Sequence, residues 1–302
     1  MMASPVQWLS RQIVDGLYYG SMSHFPMIAP QLAAGTAQLL SRFAPDLMRI
    51  VRQNVRLALG PLASEDSVRR TALIVVRRMQ DSIRDTLLAS ETSSAGLAAR
   101  VTSFRGHEHY HEARSRGRGV VMASAHMGSF EPCLALLRRY EPRIHVLFQT
   151  DPMPRFERAR SRMRQSIGVI EHRVGDGIGA WILLQDALRR GEAVVIHADR
   201  AMYRGAGARM RFLGSDDAVL PTGPVRLALA CGAAILPTFC THAESGLHVE
   251  MHSPIVFPEQ PLRAAEVPGH PAQAALVTVM ERAIRQTPDQ WLAFWQVLEG
   301  SA

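Results

Sequence analysis

The chain has 302 residues, 47% hydrophobic and 20% charged, a globular composition that excludes an intrinsically disordered protein. All 34 basic residues are arginine, set against 27 acids for a net charge of +7, so neither a Schiff-base nor a P-loop lysine is available. Cys133, Cys231 and Cys240 lie far apart with no C-x-x-C, which fits a reducing compartment and disfavours a disulfide framework or a cysteine zinc site.

Residues 16–41 contain no Asp, Glu or Arg, but Pro26, Pro30, His24, Gln31 and Gln38 interrupt them. The spacing predicts two short apolar helices, about 5–22 and 30–43, rather than a spanning helix or a cleaved signal peptide. Phe43, Leu47, Ile50, Val51 and Leu57 then recur at helical spacing, while Arg49, Arg52 and Arg56 form a stripe on another face. A basic amphipathic helix beside an apolar hairpin reads as a membrane-surface element, so residues 1–60 are expected to associate with a membrane and 61–302 to form the body. A further helix is predicted over about 65–90.

From residue 100 the pattern alternates. Short apolar runs predict strands at 119–125, 144–148, 193–197, 234–239 and 247–251, and helices at 132–140, 153–167, 179–190, 223–231 and 271–286. The expected fold class is α/β, with a mixed, mostly parallel central sheet flanked by helices. Residues 1–241 carry 31 Arg against 20 acids and residues 242–302 carry 3 against 7, so a basic body faces an acidic partner or simply solvent.

The strongest chemical signal is His126 and Glu131 within Ser124-Ala125-His126-Met127-Gly128-Ser129-Phe130-Glu131. His126 follows a predicted buried strand, where α/β sheets place their ligands, and Pro132 suits a first helical turn. A turn at Gly128 would let the Glu131 carboxylate reach the imidazole, and a histidine oriented by a carboxylate is a general base for a hydroxyl. Alone, a His and a Glu five apart are a weak signal.

The motif resembles the H-x-x-x-x-(D/E) signature of the lysophospholipid/glycerolipid acyltransferase superfamily, and within it the bacterial lipid A biosynthesis (late) acyltransferase family. Seven further blocks carry the resemblance in order. They are Asn54-Val55-Arg56-Leu57-Ala58-Leu59, Arg105-Gly106-His107-Glu108-His109 with Gly117-Arg118-Gly119-Val120-Val121, Arg162-Met163-Arg164 with Gly168, Ala198-Asp199-Arg200, Phe212-Leu213-Gly214, Pro221-Thr222-Gly223-Pro224, and Thr287-Pro288-Asp289-Gln290-Trp291. Two places depart from the pattern. Ala201 stands where the family usually has a second Asp, and Leu292-Ala293-Phe294-Trp295 replaces an aromatic-His-Arg-Arg ending. The acceptor therefore stays open between a lipid A precursor, a phosphatidylinositol mannoside and a specialised lipid.

The resemblance implies transfer of an acyl chain from an acyl carrier protein or acyl-CoA thioester to a lipid or glycolipid hydroxyl or amine, at the cytoplasmic face of the bacterial inner membrane. The protein would be peripheral or monotopic and need no cofactor or metal. His126 would be the base and Glu131 its orienter. Arg164, Asp199, Arg200, Gly223 and Arg226 would bind substrate, and backbone N–H groups at Gly128 or Gly223 would receive the oxyanion. His107, His109 and His111 alternate beside Glu108 and Glu112 without favouring a metal, and His197 reads as a strand-end histidine that could line the cleft. Among rivals, a hydrolase would need a nucleophile elbow, and no G-x-S-x-G is present. A nucleic-acid binder is disfavoured by 6% aromatics and the lack of a groove-binding motif, so no nucleic acid is expected as partner.

Overall fold

The computed structural model describes residues 44–151, 154–202 and 207–299. The two apolar helices expected over 5–22 and 30–43 lie outside the described residues, and among the described residues no helix is long and apolar enough to cross a membrane.

The first described helix, α1 (Pro45–Leu59), opens on a proline and carries Asp46 in its first turn, both favourable at a helix N-terminus. Its apolar stripe of Met48, Val51 and Val55 packs on Val68, Ala72 and Val76 of α2 (Glu65–Ala89) and on Leu292. The basic amphipathic helix is thus docked on the body by its apolar face. Arg49 and Arg52 stay on its exposed side, while Arg56 pairs with Glu65.

A seven-stranded sheet forms the centre, in the order β1-β9-β8-β2-β5-β3-β4. Its strands are β1 (Val101–Arg105), β2 (Val120–Ser124), β3 (Ile144–Phe148), β4 (Ile170–Arg173), β5 (Ala193–His197), β8 (Ala234–Ala243) and β9 (Gly246–Met251). All neighbours pair in parallel except β8 and β9. This is the expected mixed, mostly parallel α/β sheet. In β2 the alternation of strand side chains splits the residues between two cores. Val121 and Ala123 join Leu184, Leu188, Val225 and Met280 on one face, while Val120 and Met122 join Leu134, Leu137 and Met163 on the other. The first face is covered by α7 (Ile178–Arg189), α8 (Gly223–Leu229) and α9 (Pro271–Gln286), and the second by α3 (Ser94–Ala98), α4 (His107–Arg114), α5 (Glu131–Leu137) and α6 (Pro154–Ile167).

The strands β1 and β4 and the separate hairpin of β6 (Gly207–Phe212) and β7 (Ser215–Pro221) were not anticipated. Their residues are partly exposed and their apolar positions are broken by polar or charged ones, so they lack the continuous apolar run that marks a central parallel strand.

Candidate active site

Strand register brings two of the candidate side chains together. The paired ends of β2 and β5 set Ser124 opposite His197, and the Ala198 amide donates to the Ser124 carbonyl at 2.6 Å. Two residues further along each chain, His126 and Asp199 face each other across the carboxyl ends of the strands. The Asp199 carboxylate meets the His126 ring at Nδ1 (2.7 Å) and accepts from the His126 backbone amide (2.9 Å). It also accepts from the Trp291 indole N–H at 2.9 Å. Asp199 is fully buried, and although burial opposes its ionisation, the His126 ring and backbone amide, with His197 nearby, hold its carboxyl down at about 2.

The turn after His126 has to be made by glycine. Gly128 sits at φ +57, and a Cβ there would lie 2.6 Å from the Cys240 carbonyl oxygen of β8. The turn does not carry Glu131 to the ring. Glu131 starts α5 and forms its ion pair with Arg160 of α6, at 3.9 Å. The carboxylate on His126 is therefore Asp199, 2.7 Å from its Nδ1.

The other expected residues separate by environment. Arg164 is 2% exposed; its guanidinium meets Glu157 at 2.6 Å and Glu171 at 3.1 Å and lies over the Phe148 ring at 4.1 Å. Arg200 is half-exposed and stacks on Trp295 at 5.2 Å, with no carboxylate at ion-pair distance among the described residues. Trp295 in turn sets its edge against the His126 ring at 5.0 Å.

Two adjoining cavities meet here. One, of about 530 Å³, is lined by His126, Gly128, Glu131, Arg160, Arg164 and Trp295 among others. The other, of about 480 Å³, takes in Trp181, Gly223 and Arg226. His197, Arg200, Ile196, Leu147 and Met202 belong to the walls of both. Gly223 and Arg226 thus stand apart from the His126 loop. Arg226 donates to the Leu262 carbonyl at 3.1 Å, and the Trp181 ring fills the space a side chain at Gly223 would need.

Sequence reasoning left the C-terminal segment without a role, and the structure gives it one. Gln290 clamps the His242 backbone of β8, accepting from its N–H (2.6 Å) and donating to its C=O (2.8 Å). Trp291 bridges to Met127, and the Leu292 amide donates to the His126 carbonyl at 2.8 Å. Asn54 of α1 then holds the carbonyls of Ala293 and Trp295 at 2.9 and 2.8 Å. Three of the motif blocks quoted from the sequence therefore converge on one task, fixing the loop that carries His126. The remaining clusters are structural. His107, Tyr110, His111 and Tyr140 pack ring on ring, and among the described residues no group of three or more His, Cys, Asp and Glu side chains is placed to hold a metal.

A histidine held by a buried carboxylate, in the lining of a cavity with apolar and cationic side chains, can take a proton from a hydroxyl of an anionic or lipidic substrate. The model of a family described as bacterial lipid A biosynthesis acyltransferase matches residues 22–298. Among curated proteins, a phosphatidylinositol mannoside acyltransferase of Mycobacterium tuberculosis is 29% identical over 137 residues, 45% of this chain and 42% of that protein. The protein of the same name from Mycolicibacterium smegmatis is 27% identical over 135 residues, 44% of this chain and 43% of its own length. The chain thus aligns with under half the length of these relatives.

Proposed function

Because this chain belongs to the bacterial lipid A biosynthesis acyltransferase family, we propose that it moves a fatty acyl chain from a thioester to a hydroxyl of a glycolipid, with His126 as general base and Asp199 as its orienter. The observation that carries the reading is the His126–Asp199 pair, 2.7 Å long, whose imidazole lines the larger cavity while its carboxylate is buried. The tautomer follows from the bond: with Nδ1 bound to carboxylate, Nε2 is left as the proton acceptor. In the reaction the acceptor O–H gives its proton to Nε2 as the oxygen bonds to the thioester carbon. The tetrahedral intermediate then expels the thiolate, which takes the proton back from His126. Asp199 stays ionised throughout and steadies the imidazolium.

Arg200 and Arg160 are the cations that would meet phosphate on the donor or acceptor, while Glu131 sets the position of Arg160. Arg164, ion-paired on two sides, acts from behind them. The donor is an acyl carrier protein or acyl-CoA. The names of the relatives favour a sugar hydroxyl of a glycolipid as acceptor, and the exposed Arg49 and Arg52 fit an anionic membrane surface at the cytoplasmic face. The test is incubation of the purified chain with palmitoyl-CoA or palmitoyl-carrier protein and bacterial glycolipid vesicles, read by mass spectrometry. An acylated glycolipid that disappears with a folded His126→Ala variant is expected. Release of free fatty acid alone would make the chain a hydrolase instead.

A further inference from the structure

His197 has a place that its position at the end of a strand does not require. Its ring lies flat against that of His126, with centroids 4.1 Å apart and planes 22° from parallel. The edge of Phe130 supports it at 5.0 Å. Among the described residues its ring nitrogens make no hydrogen bond, although it is half-buried and belongs to the walls of both cavities. Both nitrogens are thus free to bond a molecule held in the cavities.

We propose that His197 is a catalytic residue of this site, a neutral imidazole whose ring N–H donates a hydrogen bond to the carbonyl oxygen of the acyl donor as that oxygen becomes an oxyanion. The assignment rests on the acyl-transfer reading. The asymmetry of the pair follows from what each ring touches. Of the two histidines Asp199 bonds only to His126, so the proton taken from the acceptor is stabilised there. A charge on His126 then makes a second charge 4.1 Å away unfavourable. The groups that face His197 are His126 and Arg160, which oppose its protonation, and Asp199, which favours it. With burial as the largest cause, its ordinary value falls to about 3. A neutral imidazole is a hydrogen-bond donor that does not surrender its proton to the oxyanion. The C=O electron pair moves onto oxygen as the acceptor oxygen bonds to carbon, His197 holds that oxygen, and the pair returns as the C–S bond breaks.

The experiment compares full-length wild type, His197→Phe and His197→Gln. Phenylalanine keeps the stack on His126 and the contact with Phe130 but has no donor, whereas glutamine restores an N–H. The probe is palmityl trifluoromethyl ketone, whose hydrated carbonyl mimics the tetrahedral intermediate, with binding followed by 19F NMR and folding by thermal melting. The expected result is binding at least tenfold weaker in His197→Phe at an unchanged melting temperature, with glutamine recovering most of the loss. Equal affinity in wild type and His197→Phe overturns the assignment. A wild-type protein that fails to bind the ketone overturns the acyl-transfer reading itself, and this one with it.

Discussion

Asp199 and His197 are two residues apart, point into the same few ångströms, and are driven in the same direction on the pH scale for different reasons. Asp199 is lowered from 3.8 to about 2, so the stability it contributes is present above 3.8 and is lost as the pH falls toward 2. His197 is lowered from 6.5 to about 3, so from 6.5 downward the unfolded chain takes up a proton that the folded one refuses. Wild-type melting temperature should therefore fall between pH 7 and 4, and His197→Phe should flatten part of that fall. A slope unchanged by the substitution would show that His197 is protonated in the fold. The arginines divide by the same logic. Breaking a buried pair leaves uncompensated charge at a cost of about 3–5 kcal/mol, so Arg164→Ala should lower the melting temperature by several degrees. Arg200→Ala, which removes a stacked cation without breaking an ion pair, should leave melting nearly unchanged and raise KM for one substrate. A large stability loss in Arg200→Ala would remove that distinction.

At the scale of elements, the central strands and long helices were legible because each is a continuous apolar run or a 3.6-residue stripe. The strand expected at 144–148 and the helix at 271–286 match β3 and α9. The edge strand β4, Ile-Glu-His-Arg, carries no such run. The partner of His126 was illegible for a different reason. Glu131 is near in sequence, but the contact that forms joins residues 73 apart, and only the parallel register of β2 on β5 specifies it. The role of the C-terminal segment was hidden likewise, since a Gln-Trp pair does not reveal which backbone it clamps. That brace makes a prediction of its own. Trp291→Phe removes the indole donor from Asp199 and part of a side chain only 2% exposed, packed on Phe212 at 5.9 Å. It should cost about 2–4 kcal/mol by denaturant unfolding and lower kcat as well, through the Asp199 it positions. A loss of stability with kcat intact would make the brace purely architectural.

For the whole molecule, the basic charge and the site belong to one arrangement. The helix α1 presents Arg49 and Arg52 outward and inward holds, through Asn54, the C-terminal segment that braces the His126 loop. Arg49→Ala with Arg52→Ala should weaken binding to anionic vesicles by about 2 kcal/mol, at roughly 1 kcal/mol for each charge near the surface, and leave neutral vesicles unaffected. Equal losses on both vesicle types would assign the helix to packing alone. The central claim, that a sheet-register contact rather than the neighbouring carboxylate makes His126 a base, is tested most directly by kcat for Asp199→Asn beside Glu131→Gln in the same acyl-transfer assay. The account predicts a loss on the order of 10³–10⁴ for Asp199→Asn, which upsets the tautomer of the ring, and a far smaller one for Glu131→Gln. A near-normal Asp199→Asn beside a nearly dead Glu131→Gln would contradict it.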